Sequence, residues 1–372
     1  MWISQLDLTQ WRNHETTRLV CSPGVTVLVG PNGQGKTNVV EAIRYLSTLG
    51  SHRVGSSAPL IGDGHTTATV FAHLHHGERQ ITAGVTLKHH GANDATINGS
   101  KTKMSELPRW VSSVMFSPED AAIIRGEPSH RRSFMDELVL SGSPSMAGTF
   151  HDFERVLKQR NSLLKSLRAA PKSADLSTLD TWSERFTAVA AEIIEHRLEY
   201  LAEITPGVSA EYHNLAGDAE VAAHYQTKGY SLESSPSSRD QIMTVLSEAL
   251  RDVRQEELDR GMTLVGPHRD DVELTIQEKP ARTHASQGET WSLALALRLA
   301  MAAWMRDKRS SGDPIVILDD VFAELDAHRR EKLVSAIIGY EQLLITSAVE
   351  EDLPSGLGGA RFDIKDGVVT PR

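Results

Sequence analysis

Apolar residues recur along this chain with two periods, and the changes of period divide it. Residues 2–8 alternate as a strand does, and Val25-Thr26-Val27-Leu28-Val29 is a short β-branched run suited to a buried strand. A glycine-rich turn follows. Residues 38–49 then place Val39, Val40, Ala42, Ile43 and Leu46 at helical spacing. Between residues 66 and 102 the period is two again. Segments 70–74, 81–87 and 95–97 predict a small antiparallel sheet, with Asn98-Gly99 as a hairpin turn because both residues tolerate positive φ.

The middle of the chain reads differently. Phe150, Phe153, Leu157, Leu164 and Leu167 recur at threes and fours, as do Leu179, Trp182, Phe186, Val189, Ile193 and Leu201. Two amphipathic helices, an αα-hairpin broken at 169–173, are predicted. A Ser-rich loop at 231–238 precedes a third helical run through Ile242, Leu246 and Leu250. These stripes predict core packing. After residue 260 strands and helices alternate: strand 272–276, helix 289–305 and buried strands 315–318 and 343–346. The expected class is α/β, with a head built from residues 1–118 and 260–372 and a helical insertion at 119–259.

Composition narrows the classes. The 372 residues are 40% hydrophobic and 24% charged, a globular balance. No apolar run approaches the roughly 18 residues of a membrane span, and the N-terminus lacks a secretory pattern. Cys21 is the single cysteine, which excludes an intramolecular disulfide or a cysteine-built metal site. A cytoplasmic protein without a membrane partner is expected. The net charge of −10 gives no long-range positive field, so any nucleic-acid contact must use a local basic face.

Gly30-Pro31-Asn32-Gly33-Gln34-Gly35-Lys36-Thr37 carries the strongest chemistry. Glycines let successive backbone N–H groups converge on phosphate oxygens, and the following helix adds its N-terminal dipole. Lys36 would reach the β- and γ-phosphates of ATP, binding them and serving catalysis; Thr37 would give its hydroxyl to Mg²⁺. Ile315-Val316-Ile317-Leu318-Asp319-Asp320 ends an apolar strand in two carboxylates. Asp319 would hold Mg²⁺ through water, and Asp320 would deprotonate the attacking water. The two roles separate if neighbouring strand residues face apart. Asp is a methylene shorter than the usual Glu, which predicts slow hydrolysis.

Ser286-Gln287-Gly288-Glu289 opens a helix. A Ser there is ordinarily an N-cap. Beside the other two motifs it resembles the signature of ABC-type ATPases, where Ser286 and Gly288 would meet the γ-phosphate of a second subunit. Ala323-Glu324-Leu325-Asp326 fits the loop that crosses such a dimer. With Arg12-Asn13-His14, Ser51-His52-Arg53, Phe116-Ser117-Pro118-Glu119-Asp120 and Gly266-Pro267-His268-Arg269-Asp270-Asp271, nearly the whole chain resembles the RecF family of SMC-like proteins.

That resemblance implies an ABC-type P-loop ATPase head with a helical insertion. It implies an ATP-induced homodimer that binds DNA at gaps, with weak, DNA-stimulated ATP hydrolysis. It further implies work with RecO and RecR in loading RecA, and a role in replication restart and SOS induction. Arg12 and Asn13 would lie near the nucleotide, Arg53 near the site, and Glu119 in the segment linking nucleotide to insertion. The signature departs from the family at Glu289-Thr290-Trp291, where Gln-Gln-Arg is common. DNA contacts would be backbone-directed. Candidate clusters are Lys101, Lys103 and Arg109; Arg125, His130, Arg131 and Arg132, with Arg131 and Arg132 foremost; and Lys158, Arg160, Lys165 and Arg168. A transporter nucleotide-binding subunit is a rival, disfavoured by Thr346-Ser347 where a switch His is expected. A non-hydrolysing scaffold is another.

Overall fold

The computed structural model describes residues 1–169, 176–232, 238–308, 312–354 and 356–372. The chain divides into two compact units. The first comprises Met1–Ala121, Gly207–Ala219 and Gln287–Arg372; the second comprises Ala122–Pro206 and Glu220–Ser286.

The first unit holds two six-stranded sheets. Five of the strands in one run parallel, among them β3 (Gly24–Val29), β8 (Ser113–Phe116), β12 (Ile315–Asp319) and β13 (Gln342–Ser347). Together with β14 (Ala360–Lys365) and β15 (Val368–Pro371) the order is β15-β14-β3-β13-β12-β8. Every residue of β12 and β13 is buried, as expected of strands covered on both faces. The other sheet is antiparallel, in the order β2-β1-β4-β5-β6-β7. Its strands are β1 (Trp2–Trp11), β2 (His14–Val20), β4 (Thr67–His76), β5 (Arg79–Lys88), β6 (Asp94–Ile97) and β7 (Ser100–Thr102). The predicted small sheet is thus twice its expected size, because β1 pairs with β4 and brings β2 with it. Asn98 and Gly99 both have positive φ in the β6–β7 turn. Helix Lys36–Thr48 buries Val39, Val40, Ile43 and Leu46 in one core with Leu8 and Val70 of the antiparallel sheet and Ile317 and Leu344 of the other.

The second unit contains helices Pro128–Gly142, Met146–Ala169, Arg239–Asp252 and Arg254–Arg260, and helix Ser177–Ala216 up to Pro206. Phe153 packs on Phe186, and Leu164 and Leu167 cluster with Leu179, so the two long helices run antiparallel. The expected break at 169–173 and loop at 231–238 lie largely outside the described residues. A three-stranded sheet, β11-β10-β9, was not expected from the sequence pattern. β10 (Asp271–Ile276) pairs antiparallel with β9 (Val221–Gln226) and with β11 (Lys279–Pro280). That pairing places residues 260–286 in the second unit rather than in the head, and Gly207–Ala219 moves the opposite way. Among the described residues no helix is long and apolar enough to cross a membrane.

Candidate functional site

The phosphate loop runs from the end of β3 into helix Lys36–Thr48. Gly33 and Gly35 have φ of +82° and +110°. A Cβ on Gly30 would stand 2.2 Å from the Ile364 carbonyl oxygen, and one on Gly35 would meet the side chains of Asn13 and His14. The loop is therefore seated on its neighbours at positions where only glycine fits. Lys36 is buried, and its Nζ donates to the carbonyls of Gly30 (2.7 Å) and Pro31 (3.3 Å).

Parallel pairing of β12 with β13 sets Asp319 opposite Thr346. The Thr37 hydroxyl donates to Asp319 Oδ1 at 3.0 Å, and the Thr346 hydroxyl donates to the same oxygen at 2.7 Å. Thr346 Oγ1 also accepts the Asp320 backbone N–H at 2.9 Å. Burial pushes Asp319 up to about 6; the Asp320 and Glu119 carboxylates raise it further, and the Thr346 and Thr37 hydroxyls oppose the rise without cancelling it. Asp320 is also raised, by burial first, against the pull of Lys36, whose Nζ lies 3.8 Å from Oδ2. The two carboxylates do separate, but not by strand alternation. Asp320 follows the last residue of β12 with φ +50°, so a left-handed turn redirects it.

Thr37 and Asp319 form a pair of hard oxygen donors. That donor set suits Mg²⁺, which keeps waters and takes phosphate oxygens rather than needing an all-protein cage. Among the described residues no group of three or more His, Cys, Asp or Glu could hold a metal ion.

Arg12, Asn13 and Arg53 come together around one cleft of about 490 Å³, also lined by Asn38, Ile61 and His65. Arg12 does not present a free charge there. Its guanidinium grips Glu41 at 2.7 and 2.9 Å. Burial alone would raise Glu41, but the Arg12 and Ser51 hydrogen bonds outweigh it and hold the carboxyl low. Asn13 donates to the Gln34 carbonyl at 3.1 Å and accepts from Asn38 at 2.7 Å. The buried His14 ring contacts the Gly35 carbonyl at 3.0 Å and the Gly367 carbonyl at 2.8 Å.

Gly288 and Glu289 lie in the first turn of helix Gln287–Lys308, preceded by exposed Ser286. Trp291 is buried, so the departure from the family pattern places a core residue in this turn. Farther along, Arg298 clasps Asp120 at 2.7 and 3.1 Å.

One favoured DNA candidate, Arg131, needs correction. Arg131 is buried and paired with Asp271 at 2.6 and 2.9 Å, and it donates to the Ile123 and Gly126 carbonyls. Half-buried Arg132 donates to the Asp270 carbonyl at 3.0 Å. Arg160 is buried against Glu257 at 2.6 Å. The Arg131 and Arg160 guanidiniums are turned inward onto these partners, whereas Arg132 keeps part of its surface exposed. Lys101 and Lys103 are exposed, Lys101 pairing with Asp94 at 2.6 Å.

Sequence reasoning missed three residues here. Thr346 was legible only as a missing switch His. Glu41 was a charge inside an apolar helical stripe, and His14 belonged to a motif without an assigned contact.

The chain matches the model of the RecF/RecN/SMC N-terminal domain over residues 2–355. The DNA replication and repair protein RecF of Leifsonia xyli subsp. xyli is 44% identical over 99% of both chains. That of Streptomyces avermitilis is 43% identical, again over 99% of both. A solved structure of the recombination mediator protein RecF with ATP in the RecFOR pathway is 27% identical, covers 100% of this chain and 97% of its own, and superposes with a TM-score of 0.90. An SMC head bound to the winged-helix domain of ScpA, 16% identical, covers 100% of this chain and 97% of its own with a TM-score of 0.55, a likeness of fold.

Proposed function

This chain belongs to the RecF family of DNA replication and repair proteins, and from that premise we propose that it is an ATP-gated clamp on DNA. The observation that carries the reading is the hydroxyl–carboxylate cluster of Thr37, Asp319, Thr346 and Asp320 at the mouth of the phosphate loop. ATP binding and membership of an ATPase family follow from the kinship. The roles of individual residues are our assignment.

Backbone N–H groups of residues 30–37 and Lys36 hold the triphosphate. Thr37 and, through water, Asp319 would hold Mg²⁺, which would shield phosphate charge. Asp320 accepts the proton of the attacking water, its position fixed through its own N–H on Thr346. Asn13 and Arg53 face the nucleotide across the cleft, while Arg12, also in its lining, is held by Glu41. Ser286 and Gly288 reach the γ-phosphate held by a second copy, so ATP closes a homodimer. Closure brings basic side chains, Lys101 and Lys103 among them, onto the DNA backbone. Weak, DNA-stimulated hydrolysis reopens it. The clamp serves RecO and RecR in loading RecA, in the cytoplasm, during recombinational repair, replication restart and SOS induction.

Salt-titrated DNA binding tests this. ATP-stimulated binding with a steep salt slope is expected, lost in Lys36→Ala. Equal binding with and without nucleotide would favour a scaffold.

A further inference from the structure

We propose that Arg329 is a positioning residue that holds the signature turn and the loop after the acidic pair together as one contact face. Asp326 caps helix Ala327–Ile337, its Oδ1 accepting the Arg329 backbone N–H at 2.9 Å. Arg329 Nη1 returns to Asp326 Oδ2 at 2.6 Å. The same guanidinium donates through Nε to Ser292 Oγ at 3.2 Å, one turn into helix Gln287–Lys308. Its Nη2 lies against Gly288: a Cβ there would stand 2.8 Å from that nitrogen. One planar fork thus touches Asp326 on one segment and Gly288 and Ser292 on the other. Gly288 is bare where the fork lies down.

An exposed pair between residues three apart on one helix is worth little by itself. A local cap would need only Asp326 and its backbone bond. The contacts to Ser292 and Gly288 go further, because they tie the cap to a different helix. This inference rests on the reading that both segments face the partner's nucleotide. Two separately mobile segments would each be ordered at closure, and a prior link between them reduces that cost. Lysine cannot replace the fork, since a single ammonium lacks its planar set of donors. The phosphate loop, Thr37 and the acidic pair make no use of Arg329, so binding of ATP to the monomer stands apart from it.

The experiment measures two quantities on the full chain: ATP affinity of dilute monomer, and the dissociation constant of the ATP-bound dimer by sedimentation. Arg329→Ala is expected to leave the first unchanged and to weaken the second by about 10-fold or more. Arg329→Lys is expected to stay weak, and Asp326→Asn to weaken in the same direction. If wild type dimerises with ATP and Arg329→Ala dimerises equally well, Arg329 is a local cap and the inference fails alone. Full rescue by Arg329→Lys would also overturn it, because charge would then suffice. A wild type that stays monomeric with ATP overturns the clamp reading, and this inference with it.

Discussion

Two buried aspartates, one in each unit, are pushed to about 6, and they are raised for opposite purposes. Asp270, in the second unit, is buried first and then supplied. It accepts from the Tyr225 and Tyr230 hydroxyls and from the Lys228 N–H at 3.1 Å, with Arg197 nearby. Arg197 in turn binds Asp136 at 2.6 Å. Asp319, in the first unit, has two hydroxyl donors, and its charged neighbours are further carboxylates. Burial is common to both, so burial does not identify a working group. The surroundings do: a satisfied carboxylate holds a fold, whereas one crowded by like charge beside a phosphate loop is a place for a cation.

That contrast can be broken by truncation. Asp319→Ala should weaken magnesium-dependent ATP binding roughly 100-fold or more while changing unfolding free energy by under about 1 kcal/mol, since like-charge crowding is relieved. Parallel nucleotide titrations and denaturant melts decide it. A large stability loss would make Asp319 a structural residue like Asp270. Asp320→Asn should slow single-turnover hydrolysis roughly 100-fold with ATP still bound, prolonging the DNA complex. Equal or faster turnover would reassign the base.

The second unit should respond the other way. Asp270→Ala strands two tyrosine hydroxyls and a backbone N–H, and should cost about 3 kcal/mol in denaturant melts without directly altering ATP affinity of the folded chain. The smallest expected effect is on pH. Asp270 has a folded value above the ordinary 3.8, so the folded chain binds more protons than the unfolded one between about 4 and 6. Its contribution to stability is full below that window and is lost as pH rises through it. Wild type minus Asp270→Asn should show a decline across the window and a plateau above it. A flat difference curve would mean that Asp270 is not shifted.

Legibility in the sequence followed locality. The phosphate loop, its helix and the strand ending at Asp319 were readable because each is a contiguous pattern with a mechanical reason for its residues. β2, β9, β14 and β15 were not: β9 and β14 take pairing partners far along the chain, and β2 and β15, though paired with neighbouring strands, alternate only weakly. The same limit misled the charge reading. Arg131 and Arg160 sit in basic runs, yet their carboxylate partners come from Asp271 and Glu257, more than ninety residues distant. The Gly266–Asp271 motif carried no assigned chemistry, and much of it builds the polar interior of the second unit through Asp270 and Asp271. Thr346 needed the parallel register of β12 and β13 before its hydroxyl could be placed on Asp319.

The central claim is that a nucleotide held by residues of one copy is also held by the signature of another. Solution mass of the Asp320→Asn chain with saturating magnesium and ATP, against ADP, with and without gapped duplex, tests it most directly. A dimer with ATP and a monomer with ADP is the predicted result. A folded, ATP-loaded chain that remains monomeric on gapped duplex would contradict it.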